Sequence, residues 1–195
     1  MSSDKQIGFI LASQSPRRRE LLERAGYYSF DVIPSSVDES QFSSHMAPVL
    51  YAQTLARAKA GEVADRYPER LVLGADTIVA CDDEIIGKPD DTAHAERIVR
   101  RLFGQPHRVI TGIALVCRVR KFEVVAADTT VVYPKAMTEA DIAAHIRGRS
   151  WEGKAGAYAI QETGDRFVER LEGSFSNVVG LPLELLERLL KEHVV

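Results

Sequence analysis

The 195-residue sequence has little of several things, and each shortage excludes a class of protein. Its two cysteines, Cys81 and Cys117, cannot build a disulfide framework and have no metal-ligand spacing, so a reducing, cytoplasmic setting is expected. No apolar run approaches the roughly 18 residues of a membrane span, and the polar start has no signal-peptide core. No membrane association is therefore expected. The five histidines share no ligand spacing, which leaves zinc unsupported.

The chain also lacks a surplus of positive charge, because 25 lysines and arginines face 28 aspartates and glutamates. A general nucleic-acid binder usually carries a basic surplus, so no nucleic acid is expected as a partner and any anion site has to be local. What is present is ordinary for a globular protein, with 45% hydrophobic and 27% charged residues. The length predicts a single domain over residues 1–195.

The order of the predicted elements indicates an α/β fold. Two β-rich runs, 108–119 and 122–133, are joined by a short basic turn and therefore predict an antiparallel pair. Because this pair interrupts an alternation of strands and helices, a mixed sheet flanked by helices is expected instead of a purely parallel one. The other predicted elements are strands over 8–12, 29–37, 71–80 and 166–171, and helices over 16–25, from 48, over 91–103, from 138 and from 182.

The segment Ser13-Gln-Ser-Pro-Arg-Arg-Arg19 places three cations at the start of a predicted helix. Cations at that end oppose the helix dipole by about 0.3–1 kcal/mol each, so a nearby anion is expected to compensate them. Backbone N–H groups, the hydroxyls of Ser13 and Ser15, and the guanidinium groups could together hold a phosphate chain. The alternative is a solvated surface turn with Ser15 as an ordinary N-cap, and the spacing alone leaves both interpretations open.

Asp76 lies in the middle of an apolar strand, where an ionised carboxylate needs a cation or a proton. Its candidate partners are a divalent metal, Lys59 and Lys88, and Lys59 falls on the apolar stripe of its own helix. One interpretation is a buried structural Asp–Lys pair. The other is an active-site carboxylate that holds a metal and accepts a proton from water. The pair Asp38-Glu39 could supply the second carboxylate of a magnesium or manganese site.

Three blocks of sequence are specific when taken together, although each alone is not. They are Leu11-Ala-Ser-Gln-Ser-Pro-Arg-Arg-Arg-Glu-Leu-Leu22, Val72-Leu-Gly-Ala-Asp-Thr77 with Gly87-Lys-Pro89, and Lys154-Ala-Gly-Ala-Tyr-Ala-Ile-Gln161 with Val179-Gly-Leu-Pro182. In this order, and over nearly the whole chain, they resemble the Maf family of nucleoside triphosphate pyrophosphatases.

The resemblance implies two lobes around a deep cleft in an extended mixed sheet, similar to the inosine triphosphatase group. It implies that water attacks the α-phosphate of a nucleoside triphosphate and releases pyrophosphate, assisted by Mg²⁺ or Mn²⁺, and it is compatible with a homodimer. Asp76 matches the proton acceptor of the family. The other matching positions are Ser13, Arg17 and Arg18 in the phosphate-binding turn, Lys59 and Lys88 among the basic cleft residues, and Glu39, the candidate second metal ligand beside Asp76.

Within the family, one subgroup prefers dTTP and UTP and another prefers 7-methyl-GTP. Arg17, Thr77 and Gln161 match the first subgroup, and the amide of Gln161 can both donate and accept toward the edge of a pyrimidine. The resemblance therefore implies a house-cleaning hydrolase of surplus or non-standard pyrimidine nucleotides. The alternatives are a 7-methyl-GTP enzyme, since Trp151-Glu-Gly153 departs from the expected loop, and a nucleotide-sensing regulator of cell division that binds without turnover.

Overall fold

The computed structural model describes residues 7–43, 45–149, 151–158 and 166–194, which build one mixed sheet flanked by helices. The strands in these ranges are β1 (Phe9–Leu11), β2 (Phe30–Val32), β3 (Val72–Cys81), β4 (Glu84–Ile86), β5 (His107–Cys117), β6 (Phe122–Pro134) and β7 (Val168–Glu172). The helices are α1 (Pro16–Arg24), α2 (Pro48–Arg66), α3 (Thr92–Leu102), α4 (Glu139–Arg147), α5 (Phe175–Val179) and α6 (Leu183–His193), with short 3-10 turns at Glu39–Gln41 and Ala155–Ala157. No helix within these ranges is long and apolar enough to cross a membrane.

The sheet is mixed, as the sequence predicts. Its order is β2-β1-β3-β5-β6-β7, and β4 pairs with β3 outside this path. β1 runs parallel to both β2 and β3, whereas β3, β5, β6 and β7 pair antiparallel in turn. The hairpin expected from the two β-rich runs is confirmed as β5 and β6, which pair along their whole length.

A gap along one edge of β3 positions the functional site. One edge of β3 pairs continuously with β5 from Val72 to Ala80. The other edge pairs with β1 at Val72 and Leu73 and with β4 only from Val79 onward. Among the described residues, no strand covers this edge over 74–78, so the middle of β3 is open where a continuous sheet would be closed.

Helix α2 lies unusually close to the sheet because glycines and alanines meet at the contact. A Cβ added at Gly74 would stand 2.4 Å from the carbonyl oxygen of Ala56, and one at Gly112 would stand 2.3 Å from that of Ala52. Any larger side chain at these glycines would push the helix away from the strands. The small residues therefore set the distance between α2 and the sheet, and with it the position of the α2 side chains relative to β3.

The hydrophobic core divides at the middle of β3. One cluster gathers around β1, α1, α6 and the first half of β3, including Leu73 and Ala75. Another gathers around β4, α3, α4 and the far end of β3, including Val79 and Cys81. This division corresponds to the two lobes implied by the resemblance, and the open edge of β3 lies between them.

Three details differ from the sequence-based expectations. The extended stretch expected over 29–37 pairs only over β2, because Pro34 has no N–H and the N–H groups of Ser36 and Val37 donate to side chains. The strand expected over 166–171 begins at Val168. Two short elements, strand β4 and helix α5, were not predicted.

Candidate active site

A cleft of about 540 Å³ opens at the uncovered edge of β3. One side of its lining comes from α1, α2 and the turn at Glu39, and the other comes from β4, the following loop and residues 153–155 and 158. The structure brings most of the predicted site residues together in this lining: Arg17, Arg18, Glu39, Lys59, Asp76, Thr77 and Lys88. Residues more than 70 positions apart thus share one cavity.

Lys59 joins two carboxylates at the floor of the cleft. Its Nζ lies 2.6 Å from Oδ1 of Asp76 and 2.7 Å from Oε1 of Glu39. The side chains of Lys59 and Asp76 are only 14% and 9% exposed. The predicted inward orientation of Lys59 is confirmed. A buried structural Asp–Lys pair would show the same contact, so the contact alone does not distinguish the two interpretations. The position of Asp76 in the lining of a cleft favours the active-site interpretation.

The two carboxylates have opposite pKa shifts because their burial differs. Burial raises the pKa of Asp76, and the charges of Lys59 and Arg18 oppose this rise without cancelling it. Burial also acts upward on the pKa of Glu39, but its hydrogen bond and charge interaction with Lys59, aided by Lys88 and Arg18, leave that pKa below its usual value. The pKa of Asp76 is therefore shifted in the direction that favours a general base, whereas the pKa of Glu39 is shifted away from it.

Arg18 is held rigidly at the edge of the cleft. Its Nε donates to the carbonyl of Gly180 at 2.8 Å, Nη1 donates to Ser13 Oγ at 2.9 Å, and Nη2 donates to Thr77 Oγ1 at 3.1 Å. Burial lowers the pKa of this guanidinium, while the carboxylate of Asp76 acts in the opposite direction. Ser13 and Thr77 therefore orient Arg18, and the direct contact of either side chain with a substrate stays a prediction.

The three arginines of the α1 segment do not act together. Arg17 lines the cleft beside Arg18, whereas Arg19 pairs with Glu23 on the exposed side of the helix at 2.8 Å. Ser15 is the N-cap of α1 and Pro16 begins the helix, as expected, but the Ser15 side chain makes no capping bond. The backbone N–H of Ser15 donates to the buried Ser13 Oγ at 3.2 Å. The alternative of a solvated surface turn does not fit this segment, because Ser13 is buried and accepts from Arg18.

The part of the cleft lining at Tyr158 contacts a buried histidine, His107. The carbonyl of Leu102 lies 3.0 Å from His107 Nδ1, so this nitrogen carries the proton, and the hydroxyl of Tyr158 donates to Nε2 at 2.7 Å. Gly156 donates its N–H to the carbonyl of Gly87 at 3.2 Å, next to the exposed Lys88. The segment 154–158 is thus attached both to the core and to the turn that carries Lys88.

Tyr51 and Tyr158 also line the cleft and His107 contacts Tyr158, and none of the three was predicted as a site residue. Tyr51 had a signal, since it precedes the inward-facing Lys59 by two helical turns. The pairing of His107 with Tyr158 spans 51 residues and had none. Gln161, the predicted base-reading residue, lies outside the described residues.

Two carboxylates of the cleft fit the protein's share of a magnesium site. Within the described ranges, no group of three or more histidines, cysteines, aspartates or glutamates is placed to hold a metal by itself. Magnesium usually binds through one or two carboxylates together with substrate phosphates and water. Asp76 and Glu39 are the two carboxylates that could contribute to such a site, and both contact the same lysine.

The mixed α/β fold surrounds an interior acid with cations in one cleft, an arrangement suited to a phosphorylated ligand. Residues 8–193 match the family described as Maf-like protein. The chain belongs to the Maf family, and the resemblance seen in its three sequence blocks is confirmed.

Relatives in this family share nearly the whole chain. A dTTP/UTP pyrophosphatase of Citrifermentans bemidjiense is 47% identical over 179 residues, covering 92% of each chain. A dTTP/UTP pyrophosphatase of Geotalea uraniireducens is 48% identical over 174 residues, covering 89% of each. Among solved structures, the Ham1 protein of Staphylococcus aureus has a TM-score of 0.53 at 12% identity, covering 95% of this chain and 98% of that one. This last likeness shows the fold alone.

Proposed function

We propose that this protein is a nucleoside triphosphate pyrophosphatase that converts dTTP and UTP to the monophosphate and pyrophosphate. The observation that carries the proposal is the meeting of Arg17 and Arg18 with Asp76 in one cleft. The names of relatives about 47% identical to this chain support the same reaction and the same substrates.

The cleft residues have different roles in the proposed hydrolysis at the α-phosphorus. Arg17, Arg18 and Lys88 bind the phosphate chain, and Arg18 is already held in place before the substrate arrives. Asp76 accepts a proton from water, and Lys59 orients this carboxylate. The water oxygen forms a bond to the α-phosphorus while the bond to the bridging oxygen breaks, and pyrophosphate leaves with that oxygen.

A divalent cation is part of the proposal. Asp76 and Glu39 would hold Mg²⁺ or Mn²⁺ together with phosphate oxygens of the substrate. When bound, such an ion neutralises phosphate charge and polarises the bond that breaks. Lys59 links the two carboxylates and keeps both oriented toward the cleft.

The preference for pyrimidines and the compartment are further parts of this proposal. Arg17, Thr77 and Gln161 match the residues of the dTTP- and UTP-preferring subgroup. Cys81 and Cys117 are both buried free thiols, which supports a reducing compartment such as the cytoplasm.

Isotope labelling tests the bond that breaks. The protein is incubated with dTTP, UTP, CTP and 7-methyl-GTP and Mg²⁺ or Mn²⁺ in H₂¹⁸O. We expect pyrophosphate and a labelled monophosphate, fastest with dTTP and UTP. Release of orthophosphate, or label in pyrophosphate, would refute attack at the α-phosphorus. Tight binding without turnover would instead support the regulator hypothesis.

The same assay tests Asp76. We expect Asp76→Asn to fold normally and lose turnover by about 10²–10⁴-fold, the usual contribution of a general base. Asp65→Asn is the matched control, because Asp65 is an exposed carboxylate on α2 that pairs with Arg118. Full activity of Asp76→Asn would exclude Asp76 as the base.

A further inference from the structure

Tyr51 occupies a place in the cleft that the proposed mechanism does not use. It lies on α2 one turn before Leu55 and two turns before Lys59, and all three side chains line the cavity. Residues four apart on a helix project from the same face. Tyr51 therefore extends the row of cleft-lining side chains that includes Lys59 by two helical turns.

The ring and the hydroxyl of Tyr51 have different surroundings. The ring packs against the cluster of Ala52, Ile78, Ala80 and Ile110. The hydroxyl has no hydrogen-bond partner in the part of the chain that the structure describes, and Tyr51 is only partly buried in the lining of the cleft, so the hydroxyl is open to a ligand there. The packing explains an aromatic ring at this position, but it does not explain a hydroxyl.

The charges around this hydroxyl favour its donor role. Burial raises the pKa of Tyr51, and the negative charges of Asp76 and Glu39 raise it further. The phenol therefore stays protonated at neutral pH. A neutral donor beside two carboxylates can bind an anionic oxygen without being withdrawn into an ion pair, unlike a lysine at the same place.

We infer that the Tyr51 hydroxyl donates a hydrogen bond to a phosphate oxygen of the bound nucleotide. This inference rests on the proposed function, because it needs a triphosphate in the cleft. Tyr51 lines the same cleft as Asp76 and Glu39, where the reacting phosphate would lie. Tyr51 is thus a substrate-binding residue that completes the set of donors formed by Arg17, Arg18 and Lys88.

The test is the activity of Tyr51→Phe, which keeps the ring and removes the hydroxyl. We expect kcat/KM for dTTP to fall by about 10- to 100-fold, the range for one hydrogen bond to a charged acceptor, with an unchanged melting temperature. Tyr67→Phe is the matched control, since Tyr67 follows the last residue of the same helix and is 39% exposed. It should retain the activity of the unmodified protein.

A third variant separates the hydrogen bond from the packing. If Tyr51→Phe is as active as the unmodified protein while Tyr51→Leu is impaired, the ring acts through packing alone and the inference is wrong. If Tyr51→Phe loses activity, Tyr51→Leu should lose at least as much. A protein that hydrolyses no nucleoside triphosphate at all would overturn the proposed function first. An active protein with an unaffected Tyr51→Phe variant overturns only the inference.

Discussion

Lys59 has to satisfy two carboxylates at once. Burying an ammonium and a carboxylate is costly unless they pair at short range, and Lys59 does so with both Asp76 and Glu39. The seven charged residues that line the cleft comprise five cations and two carboxylates. The cavity therefore carries a positive balance that a triphosphate would neutralise, even though the whole chain has a net charge of −3.

His107 gives a prediction on pH. Burial lowers its pKa, outweighing the hydrogen bonds to Gln105 and Leu102, so the folded protein keeps this ring neutral below the ordinary value of 6.5. The unfolded chain then binds a proton that the folded protein does not, and stability falls as the pH drops below about 6.5. The slope from one such group is at most about 1.4 kcal/mol per pH unit. Urea denaturation between pH 5 and 7.5 measures it.

The matching variant is His107→Gln, whose side-chain oxygen can still accept from Tyr158. We expect it to be less stable than the unmodified protein at pH 7.5 and to have a flatter decline in unfolding free energy below pH 6.5. A decline as steep as that of the unmodified protein would mean that His107 does not titrate in this range.

The role of a residue can be predicted from the sequence when the signal lies within its own helix or strand. Lys59 and Asp76 each stand out within their own element, one on an apolar helical stripe and the other inside an apolar strand, so their pairing could be anticipated. The role of Arg18 depends on Gly180, 162 residues away, which no local pattern reveals. The Tyr51 hydroxyl is recognised only once the neighbouring carboxylates are placed around it.

At the scale of elements, the contact between α2 and the sheet decides whether the site assembles. Lys59 and Tyr51 reach the cleft from α2, and Asp76 reaches it from β3. Gly112 lets α2 approach β5 and leaves no room for a Cβ against the backbone of Ala52 and Gln53. A shift of the helix would therefore separate the lysine from its carboxylates.

The substitution Gly112→Ala tests this dependence. Because the obstructing atoms are backbone, the helix has to move, and we expect a loss of about 1–3 kcal/mol in unfolding free energy together with a lower kcat/KM. Gly8→Ala is the control, since its Cβ would meet nothing nearer than Ser29 Oγ at 3.7 Å. Its stability should stay within about 0.5 kcal/mol of the unmodified protein. Unchanged stability and activity of Gly112→Ala would show that the helix contact is tolerant.

Elements with local signals were predicted well, and those that depend on remote partners were not. Helix α4 begins with a capping box in which Thr138 and Asp141 exchange hydrogen bonds, and its sequence shows this directly. Helix α5 has only five residues and is held by Asn177, whose side-chain amide donates to Val109 and Thr130 on the sheet. Such a short helix is unstable alone, so only the tertiary contacts define it.

At the scale of the whole molecule, the cleft is a product of strand connectivity. β1 and β4 pair with the same edge of β3 but leave its middle uncovered, so the cavity reaches Asp76 on one face of the strand and Thr77 on the other. The alternation of strands and helices predicts a mixed sheet but not which edge stays open. The cleft was expected only from the family resemblance. The strand pairing of β3 explains why it lies at the middle of that strand.

Removing divalent ions tests whether the whole protein needs a metal for its activity, for its folding or for both. Because Lys59 already compensates Asp76 and Glu39, the protein should fold without a divalent ion. We expect a chelator to reduce dTTP hydrolysis by about 100-fold or more, as loss of several kcal/mol of charge stabilisation implies, and Mg²⁺ or Mn²⁺ to restore it. The melting temperature should move by less than about 2 °C. A large drop in melting temperature would indicate a structural metal, and full activity in the chelator would remove the cation from the mechanism.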